Sequence, residues 1–466
     1  MKHTRLTAVL LLGAILFGLM GCADGKADPP AETLPQSTAP TEGIAPSEEP
    51  EEPVVLPEDS VKEADPPAET LPQSTAPTEG IAPSEEPEEP VVLPENSVKE
   101  ADFAVRLFQR SLRDGENTLV SPLSVFSALA MTMNGARGRT LEEMEAVLGM
   151  SAEECSRLTK AKLERMSEAT ENLRFHLANA IWFTDDERFT VNADFLETSA
   201  DRFGAGIYRA SFDETTAKEI NSWVRDNTDG MIPAILDRIP EEAVMFLVNA
   251  LAFEGEWLDP YFEFQVSPGD FTREDGEKET VDFMHREEHT YLEDGDAASG
   301  FIKYYKGGRH SCYAFAALLP KEGTSVSDYA ASLTGERLLR ILSTSRTASV
   351  ETAMPKFQAE CGTDLSEVLA EMGMPTAFDL DNADFTGLGT STVGNIGISR
   401  VLHKTFIAVD ELGTKAGAAT AVDAAAAEAL ITEKQRVILD RPFVYMLIDC
   451  ETNIPFFLGT LMSTAE

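Results

Sequence analysis

The chain has 466 residues, 43% of them hydrophobic, and a net charge of −42. That apolar fraction permits a large core, whereas the charge repels phosphate backbones and excludes nucleic-acid binding. No basic cluster offers itself to a polyanion.

The N-terminus reads as an export signal. Lys2, His3 and Arg5 give a charged start, and the apolar run Leu6–Met20 that follows is too short to span a bilayer comfortably. It ends in Leu19-Met20-Gly21-Cys22, small residues before a cysteine, which resembles a bacterial lipobox. The expectation is removal of residues 1–21 and lipidation of Cys22, with the product exported and lipid-anchored at a bacterial cell surface or in the extracellular space. The plainer alternative is an ordinary signal peptide with an incidental cysteine.

Residues 27–63 and 64–100 are one segment written twice, differing only at Asp59 and Asn96. The segment is rich in Pro, Glu, Ser and Thr and lacks aromatic residues, so it cannot bury enough apolar surface to offset its ordering entropy. Residues 22–100 are therefore expected to form a disordered stalk. At about 3.1 Å per residue its reach is roughly 200 Å.

From Ala101 the composition changes, and 101–466 is expected to be one domain. Phe103, Val105, Leu107, Phe108 and Leu112 make a helical stripe. Ser121-Pro122 opens a second, strongly apolar helix running to Met133, with proline in its first turn. Arg139-Thr140 precedes a third, through Leu141, Met144 and Leu148 to Gly149. Leu173–Phe183 alternates as a strand, and Val244–Phe253 is a continuous apolar run suited to a strand buried on both faces. Helices and strands follow no βαβ order, which points to α+β. Cys155, Cys312, Cys361 and Cys450 match no zinc spacing. Isolated buried thiols are the default, although export would permit disulfides.

Several segments resemble the serpin family, in the family's order. They are Asn117-Thr-Leu-Val-Ser-Pro-Leu-Ser124, Gly135-Ala136-x-Gly138-x-Thr140, Leu177-Ala-Asn-Ala-Ile-Trp182, Ile220-Asn-x-Trp-Val224 and Val248-Asn-Ala-Leu-Ala-Phe-x-Gly-x-Trp257. Met354-Pro-Lys-Phe357, Val401-Leu-His-Lys-x-Phe406, Glu411-x-Gly-Thr414, Arg441-Pro-Phe443 and Phe456-Phe-Leu-Gly459 follow. The resemblance implies three β-sheets, about nine helices and an exposed reactive loop near the C-terminus. It also implies an inhibitor of serine proteases, monomeric, without a cofactor and without catalytic groups of its own.

The stretch from Gly413 to Leu430 is nearly all small residues and by propensity alone would read as an alanine-rich helix. The resemblance implies instead that a protease cleaves it and that it then inserts into the main sheet, a behaviour for which serpins are a standard example. An inserting strand buries alternate side chains. One alternate set is Thr414, Ala416, Ala418, Thr420, Val422 and Ala424, all small or β-branched and uncharged, whereas Lys415 and Asp423 fall in the other set. This separation favours an inhibitor over a non-inhibitory binding protein on the same scaffold.

By family spacing Gly413 is the hinge glycine and Ala427-Glu428 the scissile bond. Alanine there suits the shallow S1 pocket of elastase-like proteases. Cleavage after Ala426 or Ala429 would keep that class, after Glu428 would suit a glutamate-specific enzyme, and after Leu430 a chymotrypsin-like one. The resemblance further assigns Ser121, Ser124, Asn249 and His403 to a polar cluster where the central strands part. It places Trp257, Lys356 and Glu411 beside the loop's entrance, the last two as an ion pair. One enzymatic pattern stands outside the family: His285-Arg-Glu-Glu-His289 fits an inverted zinc-protease motif. That chemistry needs a helix, and the flanking residues suit a strand.

Overall fold

The computed structural model describes residues 8–12, 92–167, 172–240, 243–307, 312–392, 394–414 and 434–465. The expected stalk up to residue 91, Cys22 with it, and the loop residues Ala416, Ala418, Thr420, Val422, Ala424, Ala427 and Glu428 lie outside the described residues.

Nine helices occur among the described residues: α1 Glu95–Ser111, α2 Pro122–Met133, α3 Gly138–Leu148, α4 Ala152–Ser167, α5 Ala193–Phe203, α6 Glu214–Asn227, α7 Val326–Ser332, α8 Gly335–Ser343 and α9 Ser366–Met372. Helix α2 begins where Ser121 caps it, accepting a hydrogen bond from the Ser124 amide, with Pro122 in the position where no amide is needed. Helix α3 stops at Gly149, whose φ of 72° is the left-handed conformation glycine adopts without strain. Helix α1 opens at Glu95, inside the second copy of the repeated segment and six residues before the compositional change at Ala101. This first stretch is docked on the domain: Val98 packs against the cluster of Ala101, Leu339 and Ile454, and Glu100 meets Lys162 of α4 with their side chains only 7% and 9% exposed.

The strands form three sheets. The first contains β1 Ala8–Leu12, β3 Leu173–Thr184, β5 Gly206–Ala210, β6 Ala243–Glu256, β12 Phe357–Asp364, β14 Ile396–Val409 and β15 Gly413–Thr414. The second contains β2 Thr118–Val120, β7 Val266–Thr272, β8 Lys278–Asp294, β9 Ala298–Tyr304, β10 Tyr313–Pro320, β11 Arg346–Pro355, β16 Lys434–Ile438, β17 Phe443–Asp449 and β18 Ile454–Leu461. A small pair joins β4 Phe189–Val191 to β13 Gly389–Ser391.

Strand alternation explains the layering. On β6, Phe246, Val248 and Ala250 pack with Ile220 and Val224 of α6. Its Leu251 and Phe253 face a core shared with the second sheet, among them Phe315, Tyr445 and Phe456. On β10, Phe315, Ala317 and Leu319 enter that shared core. Ala314, Ala316 and Leu318 turn to α1, α7 and α8. Both strands are buried on two faces, which is why their sequences read as unbroken apolar runs. The mixed architecture is the α+β arrangement expected.

Strands β6 and β14 run parallel with a gap between them. Five residues of the N-terminal apolar run, β1, lie in one end of it, pairing parallel with β14 from Ala8↔Ile396 to Leu12↔Val401 and with β6 at Val9↔Ala243.

Because the Glu100–Lys162 pair is buried, removing one partner strands the other charge. Glu100→Ala is expected to cost about 3–5 kcal/mol, read as a lower urea midpoint of the first unfolding transition, whereas Glu95→Ala at the exposed helix start should cost under about 1 kcal/mol.

Candidate functional site at the head of the sheet gap

At the end of the gap opposite β1, the chain leaves β14, turns at Asp410 and comes back as β15. The turn is local chemistry: Asp410 Oδ1 accepts hydrogen bonds from the amides of Leu412 at 2.8 Å and Gly413 at 3.1 Å. Strand β15 then runs antiparallel to both neighbours, with Thr414 opposite Val409 of β14 and Gly255 of β6. A Cβ on Gly413 would sit 2.0 Å from the Gly255 carbonyl oxygen, so close backbone approach, not a special φ, demands glycine there.

Trp257 anchors this turn from the other side. It is fully buried, and its indole Nε1 donates to the Asp410 carbonyl at 2.9 Å. Its amide donates to Leu412 O, and the Tyr261 amide donates to Glu411 O, each at 2.9 Å. The Trp257 ring stacks on Tyr305 with centroids 4.5 Å apart. The Tyr305 and Thr414 hydroxyls hydrogen-bond to each other, and Thr414 is 2% exposed. Burial pushes the Tyr305 phenol well up, so it stays protonated. The Lys303 ammonium lies 4.3 Å over the Tyr261 ring and donates to Glu288 Oε1 at 2.7 Å. Burial lowers the Lys303 pKa, with Glu288 opposing.

Lys356 and Glu411 do form an ion pair, at 2.8 Å. Both are partly exposed. Burial works against the Glu411 charge, but the hydrogen bond from Lys356 prevails and holds the carboxyl below its usual value.

The four cluster residues also come together. Ser121 N donates to His403 Nε2 at 3.0 Å, and Ser121 Oγ donates to the Phe456 carbonyl at 2.9 Å. Ser124 Oγ donates to Asn249 Oδ1. Asn249 Nδ2 donates to Asn179 Oδ1, and Asn179 Nδ2 donates to Phe203 O at 2.7 Å. The chain thus passes from His403 on β14, through the cap of α2, to Asn249 on β6 and Asn179 on β3. Since Nε2 accepts, the imidazole is neutral with its proton on Nδ1. Burial alone pushes it down to about 4.

Sequence reasoning missed Asn179, Tyr305, Asp410 and Gly255. Asn179 stood inside the quoted Leu177-Ala-Asn-Ala-Ile-Trp182 motif as an amide among apolar residues, and that was the signal available. Tyr305 carried none, because only the pairing of its strand brings it under Thr414.

The zinc pattern dissolves on β8. His285 and His289 are exposed strand residues, Glu288 points the other way onto Lys303, and no metal-ligand cluster occurs among the described residues. The four described cysteines are not all isolated. Cys155 is buried, its thiol pushed up to about 12 by burial. Cys361, likewise raised by burial to about 11, donates to Asn117 O at 3.4 Å. Cys312 and Cys450 instead face each other across adjacent strand ends.

A family model described as serpin, serine protease inhibitor, matches residues 98–464. The chain belongs to the serpin family. A serpin-like protein of Thermococcus kodakarensis is 31% identical over 373 residues, covering 78% of this chain and 84% of its own. Human serpin B9 is 28% identical over 372 residues, covering 78% of this chain and 97% of its own. The thermophilic serpin tengpin in its native state superposes with a TM-score of 0.74 at 41% identity, covering 81% of this chain and 96% of its own. Protease inhibition rather than catalysis is the general function of serpins. Thyroxine-binding globulin, in complex with thyroxine, shares the fold at 24% identity and a TM-score of 0.68. The fold by itself therefore does not decide what a member binds.

His403 titrates lower in the folded chain than its ordinary 6.5. The unfolded chain therefore takes up the proton first. The stability this neutral histidine contributes is complete above pH 6.5 and is lost as pH falls toward about 4. Denaturant midpoints measured from pH 7 to pH 4 are expected to fall, and His403→Gln should flatten that part of the profile.

Proposed function

We propose that this serpin inhibits elastase-like serine endopeptidases as a single-use substrate, displayed from a membrane by a lipid on Cys22. The observation that carries the reading is β15. Gly413 and Thr414 already occupy the head of the gap in the antiparallel sense that a returning loop needs. The sequence continues from there with the uncharged alternate set Ala416, Ala418, Thr420, Val422 and Ala424. Insertion would carry that set inward in register with the buried Thr414.

In this mechanism the protease serine attacks the Ala427 carbonyl. The bond to Glu428 breaks, its amine leaves with a proton, and an acyl-enzyme remains. Extension of β15 down the gap then translocates the acylated protease and distorts its active site before water can release it. Breaking the Lys356–Glu411 pair and the Trp257 contacts is not required, because they hold the residues before the inserting strand. Processing before Cys22 removes β1 and leaves the far end of the gap to the loop. The product is a monomer acting alone, and the inhibitor supplies no catalytic group.

A protease panel tests this directly. An elastase-like enzyme is expected to yield an SDS-stable 1:1 complex, with the released fragment beginning at Glu428. Thr414→Arg would place a charge where the side chain is 2% exposed. It should turn the protein into a substrate cleaved at the same bond, with the trapped fraction reduced at least about tenfold. Cleavage by every enzyme of the panel without trapping would leave the binding-protein reading in its place.

The anchoring half has its own measurement. In a bacterial expression host Cys22→Ala should move the protein from the membrane fraction to the soluble fraction and abolish lipid labelling. A variant that stays membrane-bound would overturn it.

A further inference from the structure

Cys312 immediately precedes β10 and Cys450 immediately follows β17. These strands pair antiparallel, with Tyr313 opposite Asp449. The ladder runs one step further than the strands, because the Cys450 amide donates to the Cys312 carbonyl at 2.9 Å. Directly opposed residues of an antiparallel pair have Cα atoms about 4.5–5.5 Å apart, inside the span a disulfide bridges. Both side chains carry free thiols, Cys312 exposed and Cys450 half-buried. Cys155 and Cys361 lie elsewhere, on α4 and β12, and each is held in a raised, inert state by burial.

We propose that Cys312 and Cys450 are an oxidative modification site, closing to a disulfide by exchange with a low-molecular-weight disulfide such as oxidised glutathione. The exposed Cys312 reacts first. The hydrogen bond from Cys450 outweighs burial and holds its thiol below the ordinary value. Its thiolate attacks one sulfur of the reagent, forming a mixed disulfide and expelling one thiolate. The contact with Cys312 and burial hold the Cys450 thiol well up, and the first of these is relieved once Cys312 is in the neutral mixed disulfide; Cys450 then loses its proton to solvent and attacks the Cys312 sulfur, expelling the second thiolate. Two protein thiols are oxidised, one reagent disulfide is reduced to two thiols, and the protons end on those thiols.

The bond has a defined structural consequence. Tyr313, next to Cys312, accepts a hydrogen bond from the Tyr305 amide at 3.0 Å, and Tyr305 holds Thr414 at the head of the gap. The disulfide therefore ties β17 to the strand end that supports the loop's entrance. This inference does not depend on the inhibitory reading, since it concerns the ladder whatever the loop does.

The test uses the full chain, incubated with oxidised glutathione under native conditions, alkylated, digested and read by mass spectrometry. The expected result is a linked peptide pair joining Cys312 to Cys450, reversed by dithiothreitol, while Cys155 and Cys361 remain alkylated. The oxidised protein should melt about 5 °C or more above the reduced form. Cys450→Ser should stop at a stable glutathione adduct on Cys312. Alkylation of both cysteines after oxidation, or an adduct on Cys312 that the natural chain never resolves, would overturn the proposal. A linked protein that melts no higher would overturn the structural consequence.

Discussion

A strand edge left without a partner exposes a row of amides and carbonyls that must be satisfied by something. In this chain β6 and β14 turn such edges toward each other across a gap, and the other features of the site follow from what is allowed to fill it. Its head is taken by two residues, Gly413 and Thr414, and its far end by Ala8–Leu12. Neither plug is large. Among the described residues no strand pairs with the facing edges between these two plugs.

A sheet with a gap needs other means of holding its halves. The hydrogen-bonded chain from His403 through Ser121 and Ser124 to Asn249 and Asn179 links β14 to β6 and β3 from below, without occupying the strand position between them. Polar groups suit this task because their bonds are directional and can be exchanged, whereas apolar packing across the gap would have to be torn apart. The neutral histidine belongs to the same logic, since a charged imidazole in that buried site would have no counter-ion. At the head of the gap the support is aromatic. Trp257 stacked on Tyr305 fixes the Asp410 turn and leaves Thr414 as the first residue free to lead a strand inward.

The second sheet supplies the rigid counterpart. Strands β10 and β17 are buried on both faces. The stapling of their ends through Cys312 and Cys450 would brace the platform on which Tyr305 stands. The loop's entrance and the redox pair are thus connected through one hydrogen-bonded ladder rather than through sequence proximity.

Much of this was legible in the residues. The helices opened by Ser121-Pro122 and closed by Gly149, and the unbroken apolar run of β6, follow from local capping rules and strand burial. The spaced motifs named the family, whereas the insertion expected of the alternate set beyond Thr414 falls on residues outside those described. Three things needed the tertiary structure. Helix α1 reaches back to Glu95, where Val98 packs beside Leu339 and Ile454 and Glu100 meets Lys162, some sixty residues later, and no composition scale senses such distant partners. Asn179 and Tyr305 join the site only because β3 pairs with β6 and because β9 delivers Tyr305 beneath Thr414. Cys312 and Cys450 looked like two unrelated thiols until the β10–β17 register set them face to face. Local sequence determines which segments can be strands and caps, whereas strand register, which is decided by packing across the whole sheet, determines which side chains meet.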